Sequence, residues 1–168
     1  MAKRADFIEI GKKFGIDKVT ARIIRNRDVI GDNDINMYIN GGIDDLYDPK
    51  LLKDSDKLID ILTEKIKQKK KIRIIGDYDI DGVMSTYILL KALKRAGADV
   101  SCMIPDRIKD GYGLNVELIN KAYDDKIDTI ITCDNGIAAI DEIAHAKELG
   151  MTMLVTDHHA VPYNEENG

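Results

Sequence analysis

Three short acidic segments of this 168-residue chain contain the residue types that bind divalent metal ions. The first, GDYDIDG at 76–82, places Asp77, Asp79 and Asp81 two residues apart. Alternate side chains of an extended chain point the same way, so the three carboxylates are crowded. Crowded carboxylates repel one another and raise their own pKa values unless a cation neutralises them. The segment predicts a cation site, and its alternative is a solvated turn, where aspartate is common.

The other two segments supply a further acid and two imidazoles. Asp134, in the CDNG segment, could bridge two metal ions or could cap a following helix. In the VTDHH segment, His158 or His159 could bind metal while Asp157 or the other histidine supports it. Carboxylates with one or two imidazoles suit Mn²⁺ or Mg²⁺ better than Zn²⁺. Two such ions with Asp134 between them would fit phosphoester hydrolysis, in which one ion activates water and both stabilise the transition state.

The segment PDRIKDGYGLN at 105–115 carries side chains suited to a nucleic acid. Arg107 and Lys109 could hold phosphate, and Tyr112, between two glycines, could stack on a base or a sugar. The alternative is an ordinary loop between a strand and a helix that Asn115 caps. From the residues alone, the two interpretations are about equal.

From residue 72 onward, strand-like and helical patterns alternate, which predicts an α/β fold with an open parallel sheet and helices on both faces. Continuous apolar runs predict the strands, at 72–76, 99–104, 129–133 and 151–156. Helices are predicted over 82–96, 115–124 and 137–149, the first of them with Val83, Tyr87, Leu90 and Leu93 facing the core.

In such a sheet, ligands bind beyond the carboxyl ends of the strands, where all three acidic segments fall. We expect the strands at 72–76, 129–133 and 151–156 to be parallel neighbours. Their ends should then bring Asp79, Asp134 and His158 together, with atoms bridged by one metal ion within about 5 Å of each other.

The residues before this series are more polar and lack the regular alternation of strand and helix patterns, which predicts a separate region. Residues 1–57 form a helical or irregular N-terminal lead-in, with helical patches at 3–14 and 18–27 and a turn-rich stretch at 31–49. A helix is expected at about 56–69, because its leucines and isoleucines fall on one face. The α/β series then occupies residues 58–168.

Composition limits the class of protein. Hydrophobic residues make up 44% of the chain, which indicates a globular protein, and no apolar run is long enough for a membrane span. The N-terminus lacks the apolar core of a signal peptide, so a cytoplasmic protein is expected. Only two cysteines are present, which disfavours a disulfide framework or a zinc finger. The net charge of −5 argues weakly against a protein that coats nucleic acid.

Taken in order, GDYDIDG, PDR…GYGLN, CDNGI and VTDHH resemble motifs I to IV of the DHH phosphoesterases, over roughly residues 45–162. The first two motifs look like those of the single-strand-specific exonuclease branch. The pyrophosphatase branch instead has histidine at the start of motif I, where this chain has aspartates. The resemblance implies a Mn²⁺- or Mg²⁺-dependent 5′→3′ exonuclease that acts on single-stranded DNA in recombination and repair. It also implies DNA-repair partners such as a helicase or a single-strand-binding protein.

Carried over motif by motif, the resemblance assigns a role to each matching residue. The metal-site positions are Asp77, Asp79, Asp81, Asp134 and His158. The catalytic positions are Asp77, Asp81 and His159, the last of which lies near the scissile phosphate. The residues expected to contact DNA are Arg107, Tyr112 and His159.

Members of this family continue beyond the DHH motif with another metal-ligating aspartate and a smaller substrate-binding domain. Residues 58–168 are therefore expected to be the N-terminal part of a truncated DHH catalytic domain, with little or no activity alone. The alternative function is that of a DHH-family phosphodiesterase on short oligonucleotides or cyclic dinucleotides, against which the GYGLN loop argues. A non-catalytic binding subunit should have lost motif aspartates, and this chain keeps them.

Overall fold

The computed structural model describes residues 6–106 and 113–161. Within these ranges the chain divides into two compact units, one ending at Lys53 and the other beginning at Asp54. Among the described residues, none of the helices combines the length and apolar character needed to cross a membrane.

The first unit is helical. It contains α1 (Phe7–Phe14), α2 (Lys18–Asn26) and α3 (Asp32–Asn40), followed by two short 3-10 turns at Ile43–Asp45 and Pro49–Leu51. Helix α3 corrects the prediction that 31–49 is turn-rich throughout. Two aspartates in its first turn interact favourably with the positive end of the helix dipole and so stabilise the helix. Ile35 is its buried residue. One buried apolar residue gives too weak a periodicity to recognise in the sequence.

The second unit is a four-stranded parallel sheet, as the sequence predicts, and its strand order is β2-β1-β3-β4. Each predicted strand and helix of the α/β series is present, although β4 is shorter than the predicted 151–156. The elements are α4 (Ser55–Lys67), β1 (Lys71–Gly76), α5 (Ile80–Arg95), β2 (Asp99–Met103), α6 (Val116–Asp124), β3 (Thr129–Cys133), α7 (Ile140–Glu148) and β4 (Thr152–Leu154). The predicted neighbours β1, β3 and β4 are indeed adjacent and parallel.

Helices cover both faces of the sheet. Leu62 of α4 and Leu93 of α5 pack on one face, together with alternate strand residues such as Ile74. On the other face, Ile119 of α6 and Ala146 of α7 pack with the remaining strand positions. Burial on both faces explains why the strands are continuous apolar runs and do not alternate with polar residues.

Helix α5 packs inward at Leu90 and Leu93, as predicted, but its first half packs with a different face from the one predicted. Val83 and Tyr87 are 39% and 55% exposed, while Gly82 and Thr86 are buried. The reason is a close approach to β1: a Cβ atom added at Gly76 would lie 1.9 Å from Thr86 Oγ1. Small residues permit that approach, so in the first half of α5 they take the inward face in place of Val83 and Tyr87.

Ion pairs connect elements at the amino-terminal edge of the sheet. Arg73, buried in β1, donates to Ser101 Oγ and to Asp125 Oδ2. Asp128, just before β3, accepts hydrogen bonds from Lys65 of α4 and from the hydroxyl of Thr129. Burial opposes the charge of Asp128, but these donors outweigh burial and hold the pKa of Asp128 below its usual value.

Candidate metal centre

The acidic segments lie where the strand order reverses. The chain leaves β1 for β2 on one side, whereas β3 pairs with β1 on the other side. In parallel α/β sheets, ligands bind in the crevice at such a switch point, beyond the carboxyl ends of the strands. Gly76 and Cys133 are paired in register at the ends of β1 and β3, and each is followed directly by an aspartate, Asp77 or Asp134.

Five of the predicted side chains gather at this point in two overlapping groups. Ligand atoms of Asp77, Asp79 and Asp134 all lie within 4.8 Å of one another. The same limit holds for Asp134, His158 and His159. Asp134 therefore belongs to both groups, and donors from three segments of the sequence meet at one edge of the sheet. The expected trio of Asp79, Asp134 and His158 is divided: Asp134 lies with Asp79 in one group and with His158 in the other.

Asp134 is the buried centre of the site. Its backbone lies in the left-handed region, with φ of 63°, and its N–H donates to the carbonyl of Thr156 at 3.0 Å. His158 Nε2 lies 2.8 Å from Asp134 Oδ1, yet neither oxygen of this buried carboxylate accepts a hydrogen bond from the described residues. Burial raises the pKa of Asp134, and the charges of Asp81 and Asp79 raise it further.

The first acidic segment contributes one buried and one exposed carboxylate. Asp77 is 1% exposed, and its Oδ1 has no hydrogen-bond partner within the described ranges. Asp79 caps α5, because its Oδ1 accepts a hydrogen bond from Gly82 N–H at 2.9 Å, which lowers the pKa of Asp79. Asp81 belongs to neither group, although its Oδ2 lies 3.8 Å from His158 Nε2.

Asp157 holds the third segment in place. Its buried carboxylate accepts hydrogen bonds from the backbone N–H groups of Ile137 and His159, at 2.9 and 3.0 Å. Its Oδ1 also lies 2.7 Å from His159 Nδ1, and this contact raises the pKa of His159. Burial raises the pKa of Asp157, but the hydrogen bonds outweigh burial and the net shift is downward. Of the two supporting residues that the sequence left open, the structure places Asp157 against His159.

Two predicted site residues, Arg107 and Tyr112, lie outside the described residues, as does Lys109. A contact that the sequence did not indicate comes from Thr156, whose hydroxyl donates to the carbonyl of Thr132 at 2.6 Å. Together with the bond from Asp134 N–H, this contact joins the ends of β3 and β4. Threonine at the end of an apolar run is common, so no feature of the sequence could have indicated this role.

The donors fit a hard divalent cation. Carboxylate oxygens with one or two imidazole nitrogens are the ligands that Mn²⁺ accepts readily and Mg²⁺ accepts in part. Within the described ranges, Asp77 Oδ1 and both oxygens of Asp134 are buried and accept no hydrogen bond, and a cation would satisfy them. Fold and donors together define a doubly wound α/β domain with a candidate divalent-metal centre at its switch point.

The chain belongs to the DHH family, because residues 71–167 match the N-terminal domain of that family. It is similar to the single-stranded-DNA-specific exonuclease RecJ of Bacillus subtilis (strain 168), with 44% identity over 115 residues, which are 68% of this chain and 15% of that protein. RecJ of Haemophilus influenzae is 31% identical over 156 residues, 92% of this chain and 26% of that protein. These similarities confirm the family resemblance of the four motifs.

Solved structures of RecJ also resemble this chain. Exonuclease RecJ bound to manganese matches with a TM-score of 0.60 and 37% identity, over 64% of this chain and 28% of that one. RecJ in complex with Mn²⁺ from Thermus thermophilus matches with a TM-score of 0.61 and 29% identity, over 78% of this chain and 19% of that one. The chain spans 15% and 26% of the length of the two curated relatives described above.

Proposed function

We propose that this chain supplies the metal-binding part of a phosphodiesterase that degrades single-stranded DNA from its 5′ end in recombination and repair. The observation that carries the proposal is the position of Asp134, shared by two groups of donors at the switch point of the sheet. Two comparisons support the proposal: the similar proteins of Bacillus subtilis and Haemophilus influenzae are named single-stranded-DNA-specific exonuclease RecJ, and the two similar RecJ structures contain manganese.

In this proposal, carboxylates and an imidazole would hold two Mn²⁺ or Mg²⁺ ions, and Asp134 could serve both because it belongs to both groups of donors. The proposed ligands are Asp77, Asp79, Asp81, Asp134 and His158. Such ions, when bound, supply an activated water and stabilise the charge of the phosphoryl transition state. Burial and the nearby carboxylates together raise the pKa of Asp134, and bound cations would offset both effects by stabilising its charged form.

Other side chains of the protein would orient the residues that contact the substrate and supply positive charge to the site. Asp157 fixes the ring of His159 and favours its protonated form, so His159 can present positive charge to the scissile phosphate. The burial of Asp77 and Asp134 keeps water from competing for their oxygens. Arg107 and Tyr112 would contact phosphate and base. A helicase or a single-strand-binding protein would be the partner, in the cytoplasm.

Degradation of end-labelled oligonucleotides by the complete gene product that carries these residues tests the proposal. We expect Mn²⁺-dependent release of nucleotides from the 5′ end of single-stranded DNA, abolished by a chelator and slow on duplex DNA. Cyclic dinucleotides and dinucleotides serve as competing substrates in the same assay. Faster turnover of these small substrates, or cleavage that continues without divalent metal, would contradict the proposal.

A further inference from the structure

Asn135 is a buried polar side chain that touches both acid-bearing strands. It is 1% exposed, and its Nδ2 donates to the carbonyl of Ile75 in β1 at 3.1 Å and to the carbonyl of Cys133 in β3 at 3.0 Å. Both amide protons are therefore used, one on each strand.

These two hydrogen bonds lie at the end of the β1–β3 ladder. The last paired residues of the two strands are Gly76 and Cys133. Asp77 and Asp134 follow these two residues directly. The amide of Asn135 connects the two strands just before the acids, with its acceptors one residue before Asp134 and two residues before Asp77.

The local backbone directs Asn135 back over the strands. Its neighbours Asp134 and Gly136 both have positive φ, at 63° and 105°. A Cβ atom added at Gly136 would lie 2.9 Å from Thr132 Oγ1, so the turn packs closely on β3. A non-glycine residue at positive φ costs free energy and persists where surrounding contacts enforce it. The two bonds of Asn135 are such contacts.

We infer that Asn135 is a positioning residue that sets the separation of the Asp77 and Asp134 carboxylates for metal binding. The inference rests on the proposed metal site. A buried asparagine needs hydrogen-bond partners in any protein, but those partners can lie anywhere. Here both partners lie in the backbone just before Asp77 and Asp134. The Oδ1 atom of Asn135 has no hydrogen-bond partner among the described residues. The side chain acts as a double donor, which neither leucine nor aspartate can replace.

The test is Mn²⁺ binding to this chain, followed by the electron paramagnetic resonance signal of free Mn²⁺, for the parent and for Asn135→Leu. We expect affinity per folded molecule to fall about 10- to 100-fold, as for other groups that orient metal ligands. Thr132→Val is the matched control, because it removes a buried hydroxyl without a described partner at the same end of β3. This control should bind like the parent.

Equal Mn²⁺ affinity of folded Asn135→Leu and the parent would overturn the positioning role while leaving the metal site intact. No Mn²⁺ binding by the parent would instead overturn the metal site itself. If Asn135→Leu does not fold, hydrogen exchange of the Asn135 side-chain amide in the parent decides the matter. We expect Mg²⁺ to slow that exchange, with exposed Asn120 as the reference. Exchange that does not respond to bound Mg²⁺ would overturn the inference.

Discussion

At the residue scale, Asp134 combines a buried charge with a left-handed backbone. We predict that Asp134→Asn abolishes Mn²⁺ binding and nuclease activity, because it removes a carboxylate common to both groups of donors. The metal-free fold should be at least as stable as the parent. The change relieves repulsion from Asp79 and Asp81, and asparagine tolerates positive φ better than alanine does.

Urea unfolding without metal and the DNA degradation assay measure these two effects of Asp134→Asn. Asp124→Asn, at an exposed position of α6, is the control and should change neither. Near-normal cleavage of DNA by Asp134→Asn would show that this carboxylate is not needed.

Much of the donor set could be predicted from residue types and spacing. Aspartates two apart and paired histidines, each after an apolar run, indicated Asp77, Asp79 and His158. Asp134 follows an apolar run as a single aspartate, which left a metal ligand and a helix cap both open. The role of Asn135 could not be predicted, because its acceptors include Ile75, 60 residues away in the sequence. Carbonyl groups are present in every residue, so only the pairing of β1 with β3 reveals which of them Asn135 binds.

At the scale of elements, the contact of α5 with β1 positions the first acidic segment. A Cβ atom added at Gly82 would lie 2.7 Å from both Cβ and O of Asp77. We predict that Gly82→Ala lowers the free energy of unfolding by roughly 1–3 kcal/mol, the usual cost of overpacking. Mn²⁺ binding should weaken as well, because Asp77 must shift.

Chemical denaturation and Mn²⁺ titration of Gly82→Ala check this prediction. Gly42→Ala is its control: a Cβ atom there meets no atom within 4 Å, and surface changes of this kind stay within about 0.5 kcal/mol. Gly82→Ala with the stability and the Mn²⁺ affinity of the parent would show that α5 can move away from β1 at no cost.

The ion pair between Lys65 of α4 and Asp128, which directly precedes β3, should make the free energy of unfolding depend on pH. The folded-state pKa of Asp128 lies below its usual value of 3.8, so its stabilising effect is present above pH 3.8 and disappears as the pH falls through the folded-state pKa. We predict that Asp128→Asn costs about 1 kcal/mol near pH 6 and progressively less in acid. Urea unfolding at several pH values measures the difference, with exposed Asp60→Asn as control. A cost independent of pH would contradict the assigned ion pair.

The type of each α/β element could be predicted, and so could the inward position of Leu90 and Leu93, but the packing of the first half of α5 could not. Its apolar residues fall on more than one face, with Ile80, Val83, Met84, Tyr87 and Ile88 exposed. The sequence pattern favours the face with the largest side chains. The structure instead buries the face with Gly82 and Thr86, because the sheet lies closest there.

At the scale of the whole molecule, the candidate metal centre lies entirely within the unit that begins at Asp54. Binding of Mn²⁺ at 100 times its dissociation constant would stabilise the metal-bound fold by about 2.7 kcal/mol. We predict that Mn²⁺ slows backbone hydrogen exchange in 54–161 and leaves exchange in 6–53 unchanged. Hydrogen exchange read by mass spectrometry separates the two regions, and equal protection of both would show that they unfold together.

The strand order has a consequence for how the chain folds. Strands β1 and β3 are adjacent in the sheet, but α5, β2 and α6 intervene along the chain. Contacts between distant parts of a chain form slowly, because loop closure costs entropy before the contacts compensate for it. The acids after β1 and β3 therefore meet only after that closure. Mn²⁺ added during refolding should leave the refolding rate unchanged and slow unfolding. The ion would then stabilise the domain after it has folded and would not guide its folding.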